Sequence, residues 1–250
     1  MGASKKHAEL QSRPTGEASR EGAVYPAYRS MRAAKSHGLA ARLRKHRTGE
    51  VVLDTGENLV SSGDPITAVY SLREGILLAG GGEKADGPRV SGLFWPGELV
   101  LADPTARCWA VDLCARTEAR VDVYDRAGLH AVMRDEPDLA VWLFEAACGE
   151  LLGHLDFERR LRILAVEGRF AALMVRFARC LGRPCEGGRM FSVPLLRAEL
   201  ASYLGLRTET VCRVLARWQK SGLITLKGRR TFIIHSLADF ESLASGITRS

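Results

Sequence analysis

Between Pro194 and Ile224 the sequence reads PLLRAELASYLGLRTETVCRVLARWQKSGLI. A small residue, Ala201, is followed four positions on by Gly205 and six after that by Val211. Leu196, Leu200 and Leu204 form the apolar side of a first helix, and Leu215 lies one turn beyond Val211 in a second. Each position has a physical task. Ala201 lets the second helix approach closely, Gly205 tolerates a left-handed turn, and Val211 with Leu215 closes a small core between the helices. Few arrangements satisfy all three, and the spacing predicts a helix-turn-helix unit.

In such a unit the second helix turns its N-terminal outer face to the edges of base pairs in a DNA major groove. The residues on that face are Thr208, Glu209, Cys212 and Arg213, with Arg217 one turn further on. Arginine can donate two hydrogen bonds to a guanine edge, and glutamate can accept from a cytosine amino group. An ordinary surface helix with an i, i+4 ion pair would show Glu209 and Arg213 at the same spacing. The residues that follow favour the DNA reading. Ser221-Gly222 stops the helix, and LITLKGRRTFIIH then alternates as two strands joined at a basic turn. Lys227, Arg229 and Arg230 at that turn suit phosphate contacts in a winged arrangement.

Charge is distributed to match. The net charge is +7, but residues 48–188 carry 15 Lys and Arg against 22 Asp and Glu. Residues 189–230 carry nine against two, and residues 1–47 carry 11 against three. A basic segment beside an acidic body implies a focused contact with a polyanion, here double-stranded DNA.

Upstream, the texture changes. AVYSL (68–72), ILLA (76–79), VSGLF (90–94) and ARVDVY (119–124) are short β runs separated by turn signals such as Glu74-Gly75 and Pro96-Gly97. This spacing predicts a β-sandwich or barrel. Pro137 then opens a long helix to about residue 164, and a further helix over 166–181 stops at Gly182 and Pro184. The long helix bears two apolar rows. Leu139, Leu143, Ala146, Gly153 and Phe157 suit packing on the chain's own β domain. Phe144, Ala147, Leu151, His154, Glu158 and Leu161 suit a coiled-coil-like seam with a second copy, with His154 and Glu158 as polar interruptions.

The expected organisation is a disordered tail over 1–27, a β domain with flanking helices over 28–136, a dimerisation helix over 137–165 and a winged helix-turn-helix domain over 166–250. Residues 28–47 suit a basic helix.

Several classes are excluded. No run is apolar enough to span a membrane, and Met1 to Glu21 lacks the apolar segment of a secretory signal, so a cytoplasmic protein is expected. The six cysteines, at 108, 114, 148, 180, 185 and 212, form no C-x-x-C pair and suit neither a zinc site nor a disulfide framework. Cys212, beside Arg213, is placed to respond to oxidation. A jelly-roll metalloenzyme needs clustered His and carboxylate ligands, and no His occurs between Glu50 and Leu129. No phosphate loop, dinucleotide fingerprint or Ser/His/Asp set appears, so no enzyme is expected. The alternative is a β-roll that binds a small molecule and for which DNA binding is secondary.

Over about residues 48–245 the chain resembles the FNR/CRP superfamily of transcription regulators. SSGDPITAVYSLREGILL and GLFWPGELV resemble that family's jelly-roll, cyclic-nucleotide-binding-like sensor domain. EPDLAVWLFEAACGELLGH resembles the start of its dimerisation helix. YLGLRTETVCRVLARWQKSGLI is similar to the FNR branch, whose recognition helix carries Glu and then Ser-Arg three and four residues on; here these are Glu209, Cys212 and Arg213. The CRP branch has Arg just before that Glu, where this chain has Thr208. The resemblance implies an α+β fold, a homodimer, a TTGAT-like inverted repeat, an activator role and RNA polymerase as a partner. Two departures limit it. No N-terminal cysteine is present to hold the iron–sulfur cluster of FNR. Of the cyclic AMP motif, Gly97-Glu98 is present but Arg-Ser is not, Arg107-Cys108 lying nearby instead. Neither cofactor is expected, and the combination resembles FixK-like regulators.

Overall fold

The structure, a computed structural model, describes residues 41–246 apart from 85, 86 and 104, and without the side chains of 81–84, 160 and 161. The expected tail over 1–27, the first part of the basic helix over 28–47 and the Leu161 side chain lie outside the described residues. So do residues 247–250.

The fold is α+β, and its first half is a roll of two antiparallel four-stranded sheets. One sheet has the order β1-β8-β3-β6, with β1 Gly49–Leu53, β3 Ala68–Glu74, β6 Leu99–Val100 and β8 Ala119–Asp125. The other has the order β2-β7-β4-β5, with β2 Asn58–Val60, β4 Leu77–Lys84, β5 Gly87–Phe94 and β7 Asp112–Ala115. Alternation along β8 divides the two faces of its sheet. Ala119 and Val121 join Leu53, Leu72, Leu77, Trp109 and Leu113 in the interior of the roll, whereas Tyr124 packs outside against the helices. Asp122, also on the outer face, is buried and is held by Arg44 and Arg47, each at 3.2 Å, which fasten the segment before β1 to the roll.

Helix α1 (Arg126–Asp135) begins where Asp125 accepts a hydrogen bond from the Gly128 N–H at 2.7 Å. Helix α2 (Pro137–Ile163) runs for 27 residues, about 40 Å at 1.5 Å per residue. Leu139, Leu143 and Ala146 pack against Leu43, Leu99 and Tyr124 as the first apolar row predicts. Gly153 does not, since it is exposed with open space beside it. The helix outruns the roll, and its inner row finds cover again only at Phe157, which stacks on Tyr203 with ring centroids 4.9 Å apart.

The second half is a compact unit of helix α3 (Val166–Leu181), α4 (Arg197–Leu204), α5 (Thr208–Lys220) and α6 (Leu237–Ser245) with one sheet. Trp218 sits at its centre between Phe170 and Phe240, at centroid distances of 5.1 and 4.9 Å. The sheet has four strands where the sequence suggested two. It is ordered β11-β12-β10-β9, adding β9 (Arg183–Cys185) and β10 (Gly188–Ser192) to β11 (Ile224–Lys227) and β12 (Thr231–Ile234). The turn at Glu186-Gly187 joins two short strands that pair with the wing and widen its base.

Candidate nucleic-acid interface

Helix α4 starts one residue later than its apolar pattern suggests. Leu196 precedes it and is 51% exposed, while Leu200, Ala201 and Leu204 are buried. Its first turn is closed by Glu199, whose Oε2 accepts from the Leu196 N–H at 2.8 Å. Gly205 then takes φ 63° and ψ 39°, the left-handed conformation that glycine adopts without steric cost, and the chain turns into α5.

Helix α5 is divided cleanly into two faces. Val211, Val214, Leu215 and Trp218 are buried. Glu209, Cys212, Arg213, Ala216, Arg217 and Lys220 are exposed, and Thr208 is half-buried. Among the described residues neither Glu209 nor Arg213 enters an ion pair, so both side chains remain available to a partner. Arg217 differs: its Nη1 lies 2.5 Å from Oε1 of Glu167 in the first turn of α3. The wing turn exposes Lys227, Gly228, Arg229 and Arg230 together.

One residue of this surface escaped the sequence reading. Arg197, at the start of α4, donates from Nη2 to the Arg229 carbonyl at 3.2 Å and lies over the Phe232 ring, 5.2 Å from its centroid. Burial pushes its pKa down from the usual guanidinium value, partly offset by the nearby Cys212. It thus braces the wing tip against the helix-turn-helix. An arginine three residues after Pro194, at a helix start, was the available signal, but nothing in the sequence placed it under the wing.

Three contacts lock this unit to the roll. Arg116, in the turn before β8, donates to Oε1 of the buried Glu199. The Val90 N–H of β5 donates to Ser202 Oγ at 3.0 Å. Arg176 of α3 donates to Glu98 Oε1 at 2.5 Å and lies 4.4 Å from the Trp95 ring centroid. Glu98 Oε2 accepts from the Trp95 N–H at 3.0 Å. The carboxylate of the Gly97-Glu98 pair is therefore engaged by the protein itself. Tyr203, buried in the same junction, has its pKa pushed up to about 12, mainly by burial.

Along α2, the outward side is apolar. Val141 is 58%, Phe144 68% and Leu151 59% exposed, and Leu152 and Leu155 are exposed beside them. His154 and Glu158 are exposed on the same stretch, and Ala147 is half-buried.

Residues 168–243 match the model of the Crp-like helix-turn-helix domain. The fumarate and nitrate reduction regulatory protein of Salmonella typhimurium is 26% identical over 199 residues, 79% of each chain. The chain thus carries a Crp-like helix-turn-helix domain and is similar to FNR-type regulators across about four fifths of its length. The electron transport regulator A of Shewanella oneidensis is 24% identical to this chain over 188 residues, 73% of each chain. Its fold is that of FixK2 from Bradyrhizobium japonicum, with a TM-score of 0.66 at 21% identity over 78% of this chain and 96% of that one. It is equally that of the CRP/FNR family regulator TTHA1359 from Thermus thermophilus, with a TM-score of 0.65 at 19% identity over 80% and 100%. These relatives are named as regulators. Among the described residues no helix is long and apolar enough to cross a membrane.

Proposed function

We propose that this regulator acts in the cytoplasm as a homodimer joined through α2 and binds a TTGAT-like inverted repeat in double-stranded DNA. Arg213 bonds the guanine of each half-site, Glu209 accepts from neighbouring amino groups, and Thr208 and Cys212 line the same face. Lys227, Arg229 and Arg230 hold phosphates, and the bound dimer recruits RNA polymerase as an activator. The observation that carries this reading is the division of α5. Its inner face is wholly committed to the core, while its outer face presents Glu209 and Arg213 without ion-pair partners among the described residues, beside a basic wing tip.

The activity needs neither an iron–sulfur cluster nor cyclic AMP. The chain has no cysteine before Cys108 with which to build the cluster of FNR. The Glu98 carboxylate is bound to Trp95 and Arg176, and Arg107 and Cys108 lie exposed in a separate loop. This donor set does not fit a cyclic nucleotide.

Selection from random duplexes tests the proposal. The expected enriched sequence is an inverted repeat with a TTG core in each half, obtained with protein free of iron and nucleotide. A non-palindromic sequence, or one without that core, overturns it.

A further inference from the structure

Arg217 lies on the exposed side of α5, one turn beyond Arg213 and two beyond Glu209. By position it is the natural phosphate contact at the C-terminal end of a helix seated in the groove. Yet its guanidinium is bound to a carboxylate. Glu167 reaches across from the first turn of α3, placing Oε1 2.5 Å from Arg217 Nη1. The two helices enclose a groove of about 450 Å³, lined by Ala165, Val166, Glu167, Thr210, Arg213, Val214 and Arg217. Glu167 is therefore an acidic wall beside the reading face, where a polyanion must approach.

We infer that Glu167 restrains the DNA affinity of this protein by holding Arg217 back from a phosphate contact. The inference rests on the DNA-reading proposal above and adds a residue to it. Two effects act in the same direction. The carboxylate neutralises one cation of the interface, and the pair must open before Arg217 can reach a phosphate. Arg217 is exposed and Glu167 half-buried, at 65% and 30% of side-chain surface, and the contact is an ion pair without a hydrogen bond to Glu167 Oε1, so its hold is moderate. A phosphate contact carries no sequence information, so the restraint weakens binding to every duplex alike.

The test compares wild type, Glu167→Gln, Arg217→Ala and the double variant, binding a duplex selected with the wild-type protein and an unrelated duplex of equal length across a salt series. Glu167→Gln keeps the size of the side chain, and thermal melting confirms that each variant folds. Glu167→Gln is expected to tighten binding about two- to fivefold per half-site, the span of an exposed ion pair. It should also steepen the logarithmic salt dependence by about 0.9 per half-site. Both changes appear on both duplexes, and both vanish when Arg217→Ala is added. Unchanged affinity and slope overturn the inference. Equal tightening in the Arg217→Ala background overturns the role of Arg217, and tightening confined to the selected duplex overturns the phosphate assignment. Failure of the wild type to bind any duplex is a different result: it removes the underlying DNA reading.

Discussion

Helices α2 and α5 are each half-buried, and their exposed halves differ in kind. On α5 the free side carries Glu209, Cys212, Arg213, Arg217 and Lys220; on α2 it carries Val141, Phe144, Leu151, Leu152 and Leu155. The polar side is stable in water and suits a charged, hydrated partner. A contiguous apolar stripe is costly in water and marks a protein interface. One fold thus presents two surfaces, one suited to a second copy of the chain and one to DNA. They are joined through α3 and the contacts made by Arg116, Glu199 and Ser202.

The sharpest way to break this contrast is to put a charge on the apolar side. Leu151→Asp should leave the chain folded, because Leu151 is exposed in the single chain, but should abolish the dimer. Burying an unpaired charge in the seam costs at least about 3 kcal/mol, more than a hundredfold in association. Sedimentation should show a monomer, and affinity for the inverted repeat should fall accordingly. A dimeric Leu151→Asp protein with full affinity would refute the seam.

The buried side of α5 should respond in the opposite way. Trp218→Ala removes the centre of the Phe170 and Phe240 cluster and should lower unfolding stability by about 3–5 kcal/mol, measured by denaturant titration. The exposed side of the same helix should be neutral in that assay. Arg213→Ala should change stability little, cost about 1–3 kcal/mol of binding per half-site and relax the preference at one guanine. Unaltered base preference would count against its assigned role.

The smallest effect lies at the start of α2. Glu136, just before Pro137, accepts hydrogen bonds from Arg42 and His46, and these hold its pKa below the ordinary carboxylate value, Arg42 contributing first. A depressed carboxylate stabilises the fold at pH values above its unfolded pKa, and that stabilisation is lost as pH falls through its folded one. Melting temperature should therefore fall slightly more steeply below about pH 4.5 in the wild type than in Glu136→Gln. Parallel acid limbs would show that the contact does not hold α2.

What was legible in the sequence follows the range of the interactions. Pro137, the Gly182 stop, the Ala201, Gly205 and Val211 spacing and the basic wing turn are local signals, and the structure places helices, turn and hairpin at those positions. The outward side of α2 was read only in part. Phe144 and Leu151 were found, but Val141, Leu152 and Leu155 were not, because two apolar rows overlap on one helix and periodicity does not say which meets the roll. Gly153 was given to the packed row because the pattern carries no information on where the roll ends. Leu196 was read as helical from its spacing, although the cap formed by Glu199 begins the helix after it. The pairs Arg116 with Glu199, Arg176 with Glu98 and Arg217 with Glu167 were invisible. Each joins residues 50 or more apart, and only the fold brings them together.

The central claim is that a dimer fixed by α2 presents two α5 helices to DNA at a set separation. Affinity for duplexes in which the two half-sites are moved apart one base pair at a time tests it most directly. The account predicts tight binding when the half-site centres lie about one helical turn apart, roughly 34 Å. It also predicts a collapse toward non-specific affinity when about five base pairs are inserted, because one half-site then faces away from its helix. Affinity that ignores the spacing would contradict it.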